Sequence, residues 1–495
     1  MPVPMRTSIL TPLSTRLPTP LPSVSLVRGA ARWRLPLASA LFVFAFVTCG
    51  SHERSIGVED SASTPRGSAL FDSGADTTSP GPCVGLECDR VSCPEGGDTS
   101  LSGRVTAPNG TLPVVGAVVY VPNGALPTLP LGASCATCAA WLPERPVAIT
   151  SSAADGTFTL RDVPVGANVP VVVQVGKWRR AVTVPNVSPC ANQRLDGDLT
   201  RLPRNRSEGS MPRIALTTGA CDDLGCILPK LGIDAAEIGT ASEGDARAVH
   251  VYRGAVDPAR APRGAPPAEA LWSREEGLGR YDMALLSCEC AERLENKGPA
   301  ANAAMTRYLD AGGRIFTTDY MYTWYRDSPS AALRRAIPIL GGGHDGGHPV
   351  RVASQSVQGA TFRDWLRAAS PGSADSAEGR IEFESVFDNV AYVDPARAHV
   401  WATSSRPNAP SSPEGPRVIS VEFPIDAAPA AQCGRAVHID AHVNQASEGD
   451  GVGPEFPRSC SARMGPGEAA LAFFLFHLAA CVTPAVAAPG GPAPK

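Results

Sequence analysis

Between residues 98 and 203 apolar and polar positions alternate over short runs. S-G-R-V-T-A-P is followed by V-V-G-A-V-V-Y-V-P-N-G, then A-I-T-S-S-A-A-D-G-T-F-T-L, then V-P-V-V-V-Q-V-G-K-W-R-R-A-V-T-V-P. A period of two marks strands with one buried face, and turn signals every ten or so residues predict a small antiparallel β-sandwich. Asp155-Gly156, between two β-rich runs, predicts a hairpin. After R-N-R-S-E-G-S (204–210), read as a linker, the pattern changes at Met211. P-R-I-A-L-T-T-G predicts a strand; Leu224, Ile227, Leu228 and Leu231 have helical spacing; A-R-A-V-H-V-Y and Y-D-M-A-L-L-S predict two further strands. A helix over P-A-A-N-A-A-M-T-R-Y-L-D, stopped by Gly-Gly, leads into the strand R-I-F-T-T-D. That order predicts an open, mainly parallel α/β sheet over 211–485. H-V-W-A-T, R-V-I-S-V-E-F and A-V-H-I-D-A-H-V extend it with antiparallel strands, and E-A-A-L-A-F-F-L-F-H-L-A-A-C is a closing helix.

The 495 residues suffice for more than one core. Net charge is −4 with Lys and Arg scattered, which excludes a nucleic-acid surface. Arg28, Arg32 and Arg34 precede the apolar run L-P-L-A-S-A-L-F-V-F-A-F-V, which ends at Thr48-Cys49-Gly50. The run is too short for a comfortable membrane span and reads as an export signal over 1–49. It resembles a bacterial lipoprotein signal, which implies that Cys49 is acylated and anchors the chain to a membrane; an ordinary cleaved signal peptide is the alternative. Residues 50–97 are a polar tether with a Cys-rich lead-in, and 486–495 a tail, both expected to be disordered. The chain is thus expected in the cell envelope or secreted.

Beyond Cys49 thirteen cysteines remain as disulfide candidates: Cys83, Cys88, Cys93, Cys135, Cys138, Cys190, Cys221, Cys226, Cys288, Cys290, Cys433, Cys460 and Cys481. In an oxidising compartment most pair, and the odd number leaves at least one over. Cys135-x-x-Cys138 has three readings: a zinc half-site lacking a matching second pair, a redox motif lacking its helix, or disulfides to Cys88, Cys93 or Cys190. The last is preferred.

D-G-T-F-T-L-R-D-V-P-V-G, preceded by S-G-R-V and G-A-V-V-Y-V, resembles the carboxypeptidase regulatory-like domain over 98–203. This implies a transthyretin-like sandwich serving as an accessory or adhesive module. The order Y-D-M-A-L-L-S, M-T-R-Y-L-D-A-G-G, R-I-F-T-T-D and H-I-D-A-H resembles the class I glutamine amidotransferase-like superfamily, trehalose-utilisation-like members in particular. The fold expectation is therefore multidomain: an antiparallel β-sandwich followed by an α/β domain of flavodoxin-like or amidotransferase-like type.

The resemblance implies a nucleophilic Cys on a tight strand-to-helix elbow, where backbone N–H groups face an oxyanion. Here the elbow falls at Thr318-Asp319, without Cys or Gly, and Cys288 lies one strand too early. A Cys226–Cys288 or Cys221–Cys290 bridge accounts for the L-S-C-E-C stretch instead. His438, Asp440 and His442 alternate along one strand and share a face, as a site or as the polar side of an edge strand. A metal set is offered by His344, Asp345 and His348 in G-G-G-H-D-G-G-H. Asp319, Tyr320, Tyr322, Trp324 and Tyr325 follow a strand at its carboxyl end, where open α/β sheets bind ligands, and form a candidate surface for a glycan or peptide. The sequence reading is a non-catalytic binding protein needing no cofactor, with a glycan or protein as its ligand. The alternative is an envelope hydrolase of glycans or peptides using Asp319 with His438 or His442, with or without a metal.

Overall fold

A computed structural model describes residues 83–482 except 136–137, 255–260, 274, 342–348, 406–413, 445–455, 458–459 and 461–462. The leader with Cys49, most of the tether, the His344, Asp345 and His348 set and the tail lie outside the described residues. The period-two runs become seven strands: β1 (Ser100–Arg104), β2 (Val118–Val121), β3 (Ala148–Ser151), β4 (Thr157–Leu160), β5 (Gly166–Val175), β6 (Trp178–Val187) and β7 (Asn192–Arg194). They form two sheets, ordered β4-β1-β7 and β3-β2-β5-β6, antiparallel except for the parallel β1–β7 pair. Leu101, Val119, Phe158, Leu160, Val171 and Val173 fill the space between them.

Asp155-Gly156 does not make a hairpin. β3 and β4 belong to different sheets, so this turn carries the chain from one layer of the sandwich to the other. Gly156 has φ +82°, and its carbonyl accepts from Val105 N at 2.7 Å, fixing the crossing against the far end of β1.

The second half has twelve strands: β8 (Ile214–Thr217), β9 (Ile238–Thr240), β10 (Val249–Tyr252), β11 (Met283–Leu286), β12 (Arg314–Thr318), β13 (Val350–Val352), β14 (Arg380–Ile381), β15 (Ser385–Val386), β16 (Ala398–Ser404), β17 (Gly415–Phe423), β18 (Gly434–Ile439) and β19 (Ala441–His442). Ten make one mixed sheet, β14-β13-β16-β17-β18-β12-β11-β8-β10-β9. The run from β9 to β18 is parallel, whereas β17, β16, β13 and β14 pair antiparallel. The expected parallel sheet with antiparallel additions is thus present as a single sheet. β18 lies between β12 and β17, inside it, which corrects the edge-strand alternative for His438 and Asp440.

Successive residues of the parallel strands enter opposite cores. Ile214, Leu216, Leu285 and Val437 join one cluster, while Ala215, Ala284, Leu286 and Ala436 join the other. The helix Pro299–Asp310 supplies Met305, Tyr308 and Leu309 to the second core. The helix Pro466–Ala479 lies on the first core and is apolar all round because it is covered all round. One side meets the sheet and its flanking helix through Phe362 and Trp401; the other meets the sandwich, where Phe476 lies 5.5 Å from Trp178. Gly176, φ +56°, turns β5 into β6 directly beneath this helix. A β-carbon there would stand 1.8 Å from the carbonyl oxygen of Ala479, so only glycine permits the approach.

Sandwich and α/β layer consequently share one core cluster. Trp365 Nε1 donates to Pro113 O at 2.8 Å across the junction, and Asn109 N donates to Leu231 O at 2.8 Å. The expected linker is fastened too: Arg201 pairs with Glu208, and Arg206 with Glu237 at 2.8 Å.

Five disulfides join Cys83–Cys88, Cys93–Cys190, Cys135–Cys433, Cys221–Cys290 and Cys226–Cys460. Cys135 therefore bonds across the junction, not to Cys88, Cys93 or Cys190; the side chain of Cys138 lies outside the described residues. The Cys226–Cys288 alternative is corrected: Cys226 faces Cys460, and Cys288 carries a thiol buried at 0 % exposure. Cys481, another of the thirteen candidates, takes part in none of these five disulfides. The bonded sulfurs are used up on one another, and Cys288 is held beside Asp319. Cys481 stands half-buried just past the end of the helix Pro466–Ala479, within the field of the Arg314 charge. No helix among the described residues is long and apolar enough to cross a membrane.

Candidate functional site

β8, β11, β12 and β18 run parallel, so their carboxyl ends open on the same edge. β8 is also where the strand order reverses, with later strands added on both sides of it. Crevices at such a reversal are where open α/β sheets hold ligands. Each of these four strands delivers an ionisable side chain there: Asp222 from the loop after β8, Cys288 after β11, Asp319 after β12, and Asp440 and His442 after β18. All are buried.

Asp319 is the hub. Its φ of 37° lies in the left-handed region that L-residues rarely occupy, and it stands where strand β12 breaks sharply into the short helical turns Asp319–Tyr322 and Thr323–Arg326. This is the geometry of a strand-to-helix elbow, and it carries a carboxylate. Three donors converge on that carboxylate. His442 Nε2 lies 3.1 Å from Oδ2, the Cys288 thiol donates to Oδ2 at 3.3 Å, and Asn389 Nδ2 donates to Oδ1 at 3.2 Å. Asn389 also bridges to Asp440, donating from Nδ2 to Oδ1 and from its backbone N to Oδ2, each at 2.7 Å.

Cys288 reaches Asp319 because β11 and β12 are adjacent in register, Leu286 beside Thr317. Being one strand early in the chain places it beside the elbow in space. Burial pushes its thiol well above the usual range, and the charges of Asp319 and Asp222 push it further. It is therefore a protonated donor, whereas a nucleophile needs the thiolate. Burial likewise raises the Asp222 carboxyl to about 6 against the pull of His442, Thr318 and two backbone N–H groups, and raises Asp440 to about 6.

The two histidines differ. Burial alone would depress His442, but its bond to Asp319 and the nearby Asp222 charge outweigh that and raise it. His438 is brought down to about 4 by burial, with Asp319 opposing. Its Nδ1 contacts the Thr317 hydroxyl at 3.1 Å, and its ring packs 5.4 Å from Tyr325. His442 is thus the histidine joined to Asp319, while His438 is a neutral core residue.

The aromatic residues after the elbow do not form the expected surface. Tyr322, Trp324 and Tyr325 are 0 %, 3 % and 1 % exposed; Tyr320 alone is half-buried. The sharp turn at Asp319 sends this segment back over the sheet, where Trp324 packs edge-on to Trp272 and the Tyr325 hydroxyl meets Thr317 at 2.8 Å. The acids of the C-E-C-A-E stretch are also engaged. Glu289 pairs with Lys297 at 2.8 Å, with both side chains 1 % exposed, and Glu292 receives Arg326 and the Tyr322 hydroxyl.

Asp222 and Asn389 were not singled out in the sequence. Asp222 had a signal, since it follows the first parallel strand at its carboxyl end. Asn389 had none, because it arrives from a long connection far from the parallel motif. Cys221 lies near Cys288 and His442, but its sulfur is bonded to Cys290 and is no free ligand.

A second opening lies on the sandwich: a groove of about 580 Å³ bordered by Arg90, Arg145, Ile149 and Arg161. It follows β3, an edge strand whose Ile149 side chain is 48 % exposed.

No family model and no curated protein matches the chain. Among solved structures it is similar to two interface mutants of a type II cohesin–X-dockerin complex from Acetivibrio cellulolyticus. The C-terminal interface mutant is 15 % identical, covering 30 % of this chain and 79 % of that one, with TM-score 0.14. The N-terminal interface mutant is 14 % identical, covering 30 % and 88 %, with TM-score 0.16. Scores this low carry no argument about fold or partner.

Proposed function

We propose that this chain is an exported, non-catalytic binding protein, acting at the cell envelope or outside the cell. One observation carries the reading: the elbow residue is a carboxylate already engaged by His442, Cys288 and Asn389, and the thiol beside it is buried and protonated. Five disulfides accord with an oxidising compartment, where such bonds persist. The sequence adds the lipoprotein-type leader ending at Cys49, through which the chain would be anchored. The carboxypeptidase regulatory-like and amidotransferase-like assignments belong to this proposal as well. The ligand, a glycan or an extended peptide, would lie in the groove along β3, where a peptide can add to a free sheet edge.

An envelope hydrolase using Asp319 with His442 is the second reading. The left-handed φ of Asp319 and its 3.1 Å contact with His442 favour it.

Alkylation separates the two. Native protein is treated with iodoacetamide at pH 7.5, with a denatured control, and the peptide containing Cys288 is followed by mass spectrometry. The proposal expects labelling of Cys288 only after unfolding. Rapid, stoichiometric labelling of the native chain at Cys288 defeats it, and so does glycan or peptide hydrolysis that Asp319→Asn abolishes.

A further inference from the structure

The cluster at the edge of the parallel strands has more negative charge than its protein surroundings balance. Asp222, Asp319 and Asp440 are 0 %, 1 % and 0 % exposed. Arg417 acts on Asp440 and His442 serves Asp319 and Asp222 together, so three carboxyls face two cations, and among the described residues no lysine or arginine side chain bonds to Asp222 or Asp319. Burying carboxylates without a counter-charge is costly, and proteins relieve the cost with a proton or a cation.

Polar atoms at this place also lack partners. Asp222 Oδ2 and Ser287 Oγ have no hydrogen bond of normal geometry, with Thr318 the hydroxyl alongside Asp222. Both residues are 0 % exposed, so these are buried groups with an unused donor or acceptor.

The donor spacing completes the case. Asp319 Oδ2 lies 3.1 Å from His442 Nε2 and 3.3 Å from Cys288 Sγ. Tetrahedral zinc with bonds of about 2.0–2.3 Å sets its ligand atoms roughly 3.3–3.5 Å apart. The distances now spanned by hydrogen bonds are therefore close to the edges of such a polyhedron.

We infer that Asp319, His442 and Cys288, with Asp222 as the fourth ligand, bind one divalent cation of the zinc class. A sulfur, a nitrogen and carboxylate oxygens select a borderline transition ion over Mg²⁺ or Ca²⁺, which prefer oxygen alone. Cation entry replaces the thiol proton of Cys288, which leaves to solvent, and the proton now shared between His442 and Asp319. This site's ligands do not include His344, Asp345 or His348. It does not depend on the function proposed above, since a cation here serves equally as a structural centre or a catalytic one.

The test uses the full chain, stripped with a chelator and then titrated with Zn²⁺ or Co²⁺. Metal is counted by mass spectrometry after desalting, and the cobalt form is examined by absorption spectroscopy. One equivalent is expected to remain, the cobalt form showing a thiolate-to-metal charge-transfer band that Cys288→Ser removes. His442→Ala and Asp222→Asn are expected to lose stoichiometric retention. Circular dichroism establishes that each variant is folded, and the wild-type measurement stands without them. A folded wild-type chain that retains neither ion overturns the inference. Retention unchanged in folded His442→Ala, or a cobalt spectrum without the thiolate band, overturns it too. Failure here leaves the alkylation result standing; if metal is retained, alkylation is repeated on the stripped chain, so the two proposals fail separately.

Discussion

Lys177 offers the sharpest test of how the sandwich is held on the α/β layer. Its ammonium pairs with Asp282, both side chains 8 % exposed, and donates to Gly132 O at 2.6 Å. Burial lowers the lysine and raises the aspartate despite their pairing, so each ion depends on the other to stay charged. Lys177→Met leaves Asp282 with one remaining donor, Arg213 N at 2.6 Å. Arg314 is near, but its guanidinium is bound to the carbonyl oxygens of Leu478 and Ala479.

Breaking a buried pair from one side costs about 3–5 kcal/mol. The carboxyl can escape that cost by taking a proton, which sets a ceiling. Protonating it at pH 7 from an ordinary pKa near 3.9 takes about 4 kcal/mol, at about 1.4 kcal/mol per pH unit, and at pH 5 only about 1.5 kcal/mol. The folded variant holds a proton that the unfolded chain releases, so its stability is full below about pH 4 and declines as pH rises. Urea unfolding followed by tryptophan fluorescence is therefore expected to show a loss of about 3–4 kcal/mol at pH 7 and at most about 1.5 kcal/mol at pH 5. Lys177→Met/Asp282→Leu should recover most of the difference, because an apolar pair leaves no charge stranded. Equal losses at both pH values, or a double variant as unstable as the single one, would refute the reasoning.

Removing the disulfide across the junction by Cys135→Ser/Cys433→Ser, which releases residues 298 apart in sequence, should destabilise by about 2–5 kcal/mol in urea; a change within experimental error would contradict it. Phe474→Ala should cost about 3–5 kcal/mol, since this fully buried ring packs 5.0 Å from Phe362 and 5.3 Å from Trp401; a melting point close to wild type would show that the core collapses around the gap. His438 sits near 4 in the folded chain, so the unfolded state binds the extra proton between about pH 4 and 6.5 and the wild type loses stability as pH falls through that window. Relative to wild type, His438→Gln should therefore gain about 2 kcal/mol on going from pH 7 to pH 5, and a stability difference flat with pH would exclude a neutral His438.

The periodicities made the kinds of element legible. Alternation became the strands of two small sheets, and the runs after Met211 became a largely parallel sheet with its helix at Pro299–Asp310. Such patterns are local, because a strand or helix must present a buried face at its own period whatever it packs against. Partners are another matter. Asp155-Gly156 has the composition of a hairpin turn, yet strand order made it a passage between sheets. Cys226 and Cys288 were each plausible partners of several sulfurs, and only the path of the chain brought Cys460 to one and Asp319 to the other. An odd count of cysteines foretold a leftover thiol, but that Cys288 is one depends on where β11 ends in space. The aromatics after Asp319 read as a surface until the left-handed turn there folded them into the core. The cluster of Asp222, Cys288, Asp319 and His442 draws on residues more than two hundred positions apart. Parallel pairing places the ends of their strands side by side, and that neighbourhood is a property of strand order, which no window of sequence contains.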